Sequence, residues 1–168
     1  MAQAALSEAG VAPARLAMVA VTIGPGSFTG IRAALSLAHG IALAAGVPVV
    51  GVTVGEALAV PDCGRLQWVA IDTRRGRVFL EHGGGVATVA LDALPDPPGP
   101  VSLAGDAAIA VASRLAARGA DVLLLPGRTP TPAGVARAAR HRVNTGLEPR
   151  PVQPLYVDPP EARPARPS

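Results

Sequence analysis

The sequence predicts an α/β fold of mixed sheets with flanking helices, and three observations carry that prediction. Leu16 to Ile23 (LAMVAVTI) is an unbroken, partly β-branched apolar run bounded by turn residues, the pattern of a strand covered on both faces. Good helix formers follow from Gly30 to Ala45, where Gly46 and Pro48 stop them ahead of a second apolar run, Val47 to Thr53. Strand, helix and strand at this spacing make a unit whose strands run parallel with a right-handed crossover.

The other elements follow in order. Residues 2 to 9 read as the last turns of a helix stopped by Gly10 and Pro13. A short helix is expected at Glu56 to Val60. Leu66 to Asp72 and Arg77 to His82 then form a hairpin around Thr73-Arg74-Arg75-Gly76. Gly83 to Gly85 and the proline-rich Leu94 to Pro100 are loops, with a weak strand between them at Val86 to Leu91. Val101 to Ala104, a helix from Asp106 to Arg118, and Val122 to Leu125 repeat the strand-helix-strand logic. The last helix is punctuated by Thr131 as N-cap, Pro132 in its first turn and Gly146 past its end. Val152 to Val157 reads as an extended segment, and Pro159 to Ser168 as a disordered tail. This divides the chain into a lobe over 1–60, a second α/β lobe over 61–158, and the tail over 159–168.

Composition narrows the function classes. Across 168 residues, 49% hydrophobic content and 16% charged residues exclude a wholly disordered chain, and 19 Gly with 18 Pro in no fixed period exclude collagen. Aromatics are only Phe28, Trp68, Phe79 and Tyr156, which argues against a surface that stacks unpaired bases. All 15 Lys+Arg positions are Arg, and the net charge is +3. The local clusters Arg74, Arg75, Arg77 and Arg137, Arg140, Arg142 read as solvated surface. The lone Cys63 allows neither an internal disulfide nor a thiolate cage, as expected in a reducing cytoplasm. The first ten residues lack the basic and apolar regions of a secretory signal. Ser36, His39, Gly46 and Pro48 break the apolar stretch from Leu35 to Val52, whereas a membrane span needs about 20 apolar residues in one helix. A soluble, cytoplasmic protein is expected.

The turn Gly24-Pro25-Gly26-Ser27-Phe28-Thr29-Gly30 joins a buried strand to a helix, where free backbone N–H groups could hold an anion. It matches neither established phosphate-loop pattern, and the chain has no Lys to reach a phosphate, so a tight turn capped by Ser27 or Thr29 is preferred over a phosphate cradle. His39, His82 and His141 form no HxxxH pair, which leaves zinc or iron hydrolase chemistry without support. Asp72 and Asp106 stand at strand ends, where acids often hold a metal or a water; loop capping is the preferred role. Ser27 lacks the GxSxG elbow of a serine hydrolase. Tyr156 is expected to anchor the tail by its ring, with a wet hydroxyl.

The stretch VTIGPGSFTGIRAALSLAHGIALAAGVPVVGVTVGEALA, from Val21 to Ala59, resembles the signature of the TsaB (YeaZ) family. AIDTRRGRVFL (Ala70 to Leu80), LAGDAA (Leu103 to Ala108) and VQPLYVDPPEA (Val152 to Ala162) are also similar to that family, so the resemblance spans most of the chain. It implies an actin-like/Hsp70-like (ASKHA) superfold. It also implies a noncatalytic accessory subunit of the machinery that makes threonylcarbamoyladenosine at position 37 of tRNAs, binding and activating the catalytic subunit TsaD. The implied partners are that subunit, a TsaE-like ATPase in the wider complex and a second copy of the chain, with tRNA engaged indirectly. No intrinsic cofactor is implied, and ATP only at a subunit interface. Family members begin with an AIDTS-type strand, a hairpin and a full helix, so an N-terminally truncated version of the fold is expected. The alternative is a nucleotide-hydrolysing or metal-dependent transferase of the same superfold.

The helix from Gly30 to Ala45 carries apolar residues around most of its circumference: Ile31, Leu35, Ala38 and Ala42 on one side, Ala34, Leu37, Ile41 and Ala44 on the next. Such a helix is covered on more than one side. Burial in the chain's own core is the plain account; packing on its own sheet and on a partner's helices is the account the resemblance favours. The expected partner surface and signature turn comprise Gly24, Pro25, Gly26, Ser27, Phe28, Thr29, Gly30, Arg32, Ser36, His39, Gly40 and Leu43.

Overall fold

The structure, a computed structural model, describes residues 2–61, 64–148 and 150–157. Cys63 and the tail from 159 onward lie outside the described residues. Helix α1 (Ala2–Glu8) leads through a short turn at Pro13–Arg15 to strand β1 (Val19–Gly24), helix α2 (Phe28–Ala45) and strand β2 (Val49–Thr53). Strands β1 and β2 are parallel, with Val19 opposite Val49 and Thr22 opposite Val52. The helix stop is as expected: Gly46 sits at φ 67°, a left-handed conformation that a Cβ would strain, and closes α2.

The apolar run of β1 is explained by its two covers. Val19, Val21 and Ile23 pack with Leu35 and Ala38 of α2, whereas Met18 and Ala20 pack on the opposite face with Ala138 and Ala139. Those two alanines belong to α5 (Pro132–Asn144), capped by Thr131 through the Gly134 N–H at 3.1 Å. Successive β-strand residues point to opposite faces, so two covering helices demand an unbroken apolar sequence.

Helix α3 (Val54–Leu58) follows β2 directly, and Thr53 and Glu56 cap each other reciprocally. A five-stranded sheet comes next, from β3 (Leu66–Asp72), β4 (Arg77–His82), β5 (Gly85–Ala90), β6 (Val101–Ala104) and β7 (Val122–Leu124), in the spatial order β5-β4-β3-β6-β7. The β3–β4 and β4–β5 pairs are antiparallel, and β3–β6 and β6–β7 are parallel. Helix α4 (Ala108–Ala117) covers one face through Val111 and Leu115, packed with Trp68, Ala70, Leu80 and Leu103. On the other face Val69 and Ala104 meet Val54 and Leu58, so α3 lies between the two sheets.

One expectation needs correction: the stretch 61–158 is not one lobe, because α5, Val152 and Leu155 pack on the first sheet. Residues 152–157 run as irregular chain beside β1, where the Leu155 N–H donates to Ile23 O at 2.8 Å.

Candidate functional site

The signature turn is built from its strand outward. Gly24 adopts φ +124°, and a Cβ there would lie 3.1 Å from Ile31 Cδ1 and 3.4 Å from Leu155 O, so only glycine fits without strain. Ser27 Oγ accepts the Gly30 N–H at 3.3 Å and Ser27 O accepts the Ile31 N–H at 2.9 Å, which makes Ser27 the helix cap. Gly24 and Pro25 are buried, and Gly26 to Gly30 are exposed.

Helix α2 departs from the sequence expectation in an informative way. Leu35, Ala38 and Ala42 are buried, but Leu37 and Ala44 of the neighbouring row stand open. Leu43 is 86% exposed and Leu37 61%. A Cβ on Gly40 would meet nothing within 4 Å. Thr29, Ala33, Leu37, Gly40 and Ala44 thus form a mostly small, mostly apolar and uncovered stripe on α2, whose 18 residues are long and apolar enough by length and composition to cross a membrane. In this fold its other face is committed to β1. Ser36 and His39 are also exposed, and His39 Nε2 lies 3.3 Å from Val152 O.

At the start of α2, sequence-distant residues converge. The Arg32 guanidinium stacks 3.8 Å from the Phe28 ring centroid, and its Nε and Nη2 donate to the Tyr156 hydroxyl at 3.1 and 2.7 Å. The Tyr156 hydroxyl is therefore bonded to Arg32 while its residue stays half-open to solvent, a partnership beyond the expected anchoring by the ring. Pattern reasoning missed this role because 124 residues separate the partners.

No local pattern signals the polar seam between the sheets. Glu81 of β4 accepts the Thr53 hydroxyl and, at 2.8 Å, the Gly55 N–H. Glu56 Oε1 accepts from Arg142 Nη1 at 2.6 Å and from Arg150 Nη2 at 3.2 Å. Burial raises the Glu81 carboxyl above its ordinary range, against the bonds from Thr53 and Gly55, and the nearby Glu56 charge adds to the rise. Burial pushes Glu56 up as well, but the Thr53 N–H, Arg150 and Arg142 outweigh it and hold that carboxyl low. Arg142 is buried, which corrects the reading of it as solvated; Arg137 is exposed as expected and donates to Ala57 O and Ala59 O.

Asp106 Oδ1 accepts the Asp72 N–H and Asp72 Oδ1 accepts the Arg74 N–H, both at 2.8 Å, which is loop capping. His82 stacks on Trp68 with centroids 4.8 Å apart. No group of three or more His, Cys, Asp or Glu among the described residues could hold a metal.

The family model described as TsaD, tRNA N6-adenosine threonylcarbamoyltransferase, matches residues 1–123. Uncharacterized proteins of Mycobacterium bovis and Mycobacterium tuberculosis are 38% identical over 165 residues, covering 96% of this chain and 73% of theirs. A Pseudomonas aeruginosa structure described as similar to peptidase YEAZ superposes with TM-score 0.76 at 24% identity, over 94% of this chain and 81% of that one. YeaZ from the same organism gives TM-score 0.73, also at 24% identity, over 92% and 81%.

Proposed function

Since the chain belongs to the TsaD family and has the fold of the YeaZ (TsaB) proteins, we propose that it is a noncatalytic accessory subunit in the synthesis of threonylcarbamoyladenosine at position 37 of tRNAs. In this reading it binds and activates a TsaD-like catalytic subunit in the cytoplasm, within a complex that includes a TsaE-like ATPase. A second copy of the chain can occupy the same face, the chain holds no cofactor of its own and can share ATP only at a subunit interface, and tRNA is engaged through the catalytic subunit.

The observation that carries the reading is the open stripe of α2. A helix this apolar, with Leu37 and Leu43 in solvent and Gly40 unopposed, is stabilised by a second layer of helices. Gly and Ala in the stripe let a partner backbone come close, and about 25 cal/mol per Å2 of apolar surface is gained on burial.

Reconstitution tests the proposal. The chain and a TsaD-like subunit are mixed, and binding is measured by calorimetry together with modified nucleoside formed on tRNA. Binding accompanied by a rise in product supports the reading. Product or ATP turnover by the chain alone, abolished by Asp72→Asn or Asp106→Asn, supports the transferase alternative and overturns it.

A further inference from the structure

Arg32 is the one residue of α2 with a permanent charge, apart from which only His39 is ionisable. Among the described residues it pairs with no carboxylate; Phe28 and Tyr156 hold it instead. A guanidinium with one face on a ring and two of its nitrogens on a hydroxyl has lost most of its rotamer freedom, so a further hydrogen bond costs little ordering entropy. Among the described residues its remaining nitrogen, Nη1, makes no bond, and a tyrosine hydroxyl that accepts two N–H groups keeps its own proton to donate.

Tyr156 is itself positioned from below. The Leu155 N–H is tied to Ile23 O at 2.8 Å, and the Val152 and Leu155 side chains pack into the core shared by β1 and α2. Phe28 and Tyr156 are 58% and 54% exposed, with ring centroids 6.1 Å apart. Two half-open aromatic rings around a fixed cation combine the residue types that dominate binding energy at protein interfaces. The cluster lies at the N-terminal end of the apolar stripe, so its ligand belongs to a partner that also covers Leu37 and Leu43. A polyphosphate or nucleic-acid backbone cannot do that; a protein helix can.

We propose that the Phe28–Arg32–Tyr156 cluster is the charged anchor of the α2 face, and that it receives an aspartate or glutamate carboxylate from an apolar helix of the TsaD-like subunit. This rests on the function proposed above and adds to it a defined partner group and a role for residues 152–156. Those residues become a strap that completes the docking surface.

The full chain is titrated into the TsaD-like subunit at low and high salt, with thermal melts of each variant as a folding control. Arg32→Gln is expected to weaken binding about tenfold or more and to flatten its salt dependence. Tyr156→Phe, which keeps the ring but removes the hydroxyl, is expected to weaken it by a smaller factor, and Arg32→Lys is expected not to restore it. Arg32→Glu abolishes binding, and a scan of the partner's surface acids to Arg recovers it at one position. Wild-type binding with Arg32→Gln, Tyr156→Phe, Arg32→Lys and Arg32→Glu all within twofold of it overturns the anchor and leaves the function standing. No wild-type binding overturns both, as does tighter binding of free tRNA than of the subunit.

Discussion

Thr53 and Glu81 meet across the seam between the two sheets. The Thr53 hydroxyl donates to Glu81 Oε1 and at the same time accepts the Glu56 N–H at 3.0 Å. One buried hydroxyl thereby links a carboxylate with raised affinity for a proton to the cap that holds a carboxylate with lowered affinity.

The two carboxylates give opposite pH dependences. The folded chain raises the pKa of Glu81, so its contribution to stability is present below the unfolded value and is lost as pH rises through the folded one. The folded pKa of Glu56 is depressed, so its contribution is present above the unfolded value and lost as pH falls through the folded one. Urea unfolding between about pH 4 and 8 is expected to show the advantage of wild type over Glu81→Gln shrinking as pH rises. The advantage over Glu56→Gln is expected to grow. Parallel curves for wild type and both variants would contradict this account.

Gly40→Glu is expected to abolish association with a TsaD-like subunit without harming the fold. The new side chain projects into open space, and replacing a helical glycine removes a cost of up to about 1 kcal/mol. Calorimetry reads the first effect and a thermal melt the second; a lowered melting temperature would place Gly40 in the chain's own packing.

Gly134→Ala is expected to destabilise the chain by about 1–3 kcal/mol. A Cβ there overlaps the Ala57 carbonyl oxygen, where α5 crosses α3 with backbone close to backbone. Denaturant melts check the loss. Gly119→Ala would not serve as a neutral control, since Gly119 sits at φ +84°; Gly99, with open space and no positive φ, does.

Among the described residues β1 pairs with β2 alone. A groove of 640 Å3 runs beside it, lined by Met18, Ala20 and Thr22 with Val135 and Ala139 of α5. An apolar edge of this kind is a template for another strand. Sedimentation at rising concentration is expected to show self-association that survives Gly40→Glu and falls with Thr22→Lys. A monodisperse wild type at all concentrations, or association removed by Gly40→Glu alone, would refute the edge as its origin.

The strands and helices were legible wherever a local signal fixes them. Ser27, Gly46 and Thr131 mark helix ends by backbone chemistry that acts within a few residues, and the limits of β3, β4 and β6 fall where turn residues interrupt apolar runs. The candidate surface was half legible. The residues of α2 could be named, but a circumference of apolar side chains does not say which row is covered, and Leu37 and Leu43 proved to be open. Arg32 with Tyr156, and Thr53 with Glu81, were out of reach because tertiary folding alone brings them together. The return of α5 to the first sheet was missed for the same reason. Its apolar face matches either sheet in the sequence, and only packing shows that Ala138 and Ala139 meet β1 and β2.

That return has a consequence for how the chain is made. The five-stranded sheet is contiguous from Leu66 to Leu124 and, with α4, carries its own core. The two-stranded sheet draws on both ends of the chain: β1 and β2 are translated early, but their second cover awaits α5, and Tyr156 arrives later still. During synthesis from the N-terminus, at about 5–20 residues per second, the later-translated sheet can close first while the earlier one waits with an apolar face uncovered. A ribosome stalled before Pro132 therefore holds a nascent chain whose helix α2 lies on a half-built support, an early substrate for chaperones.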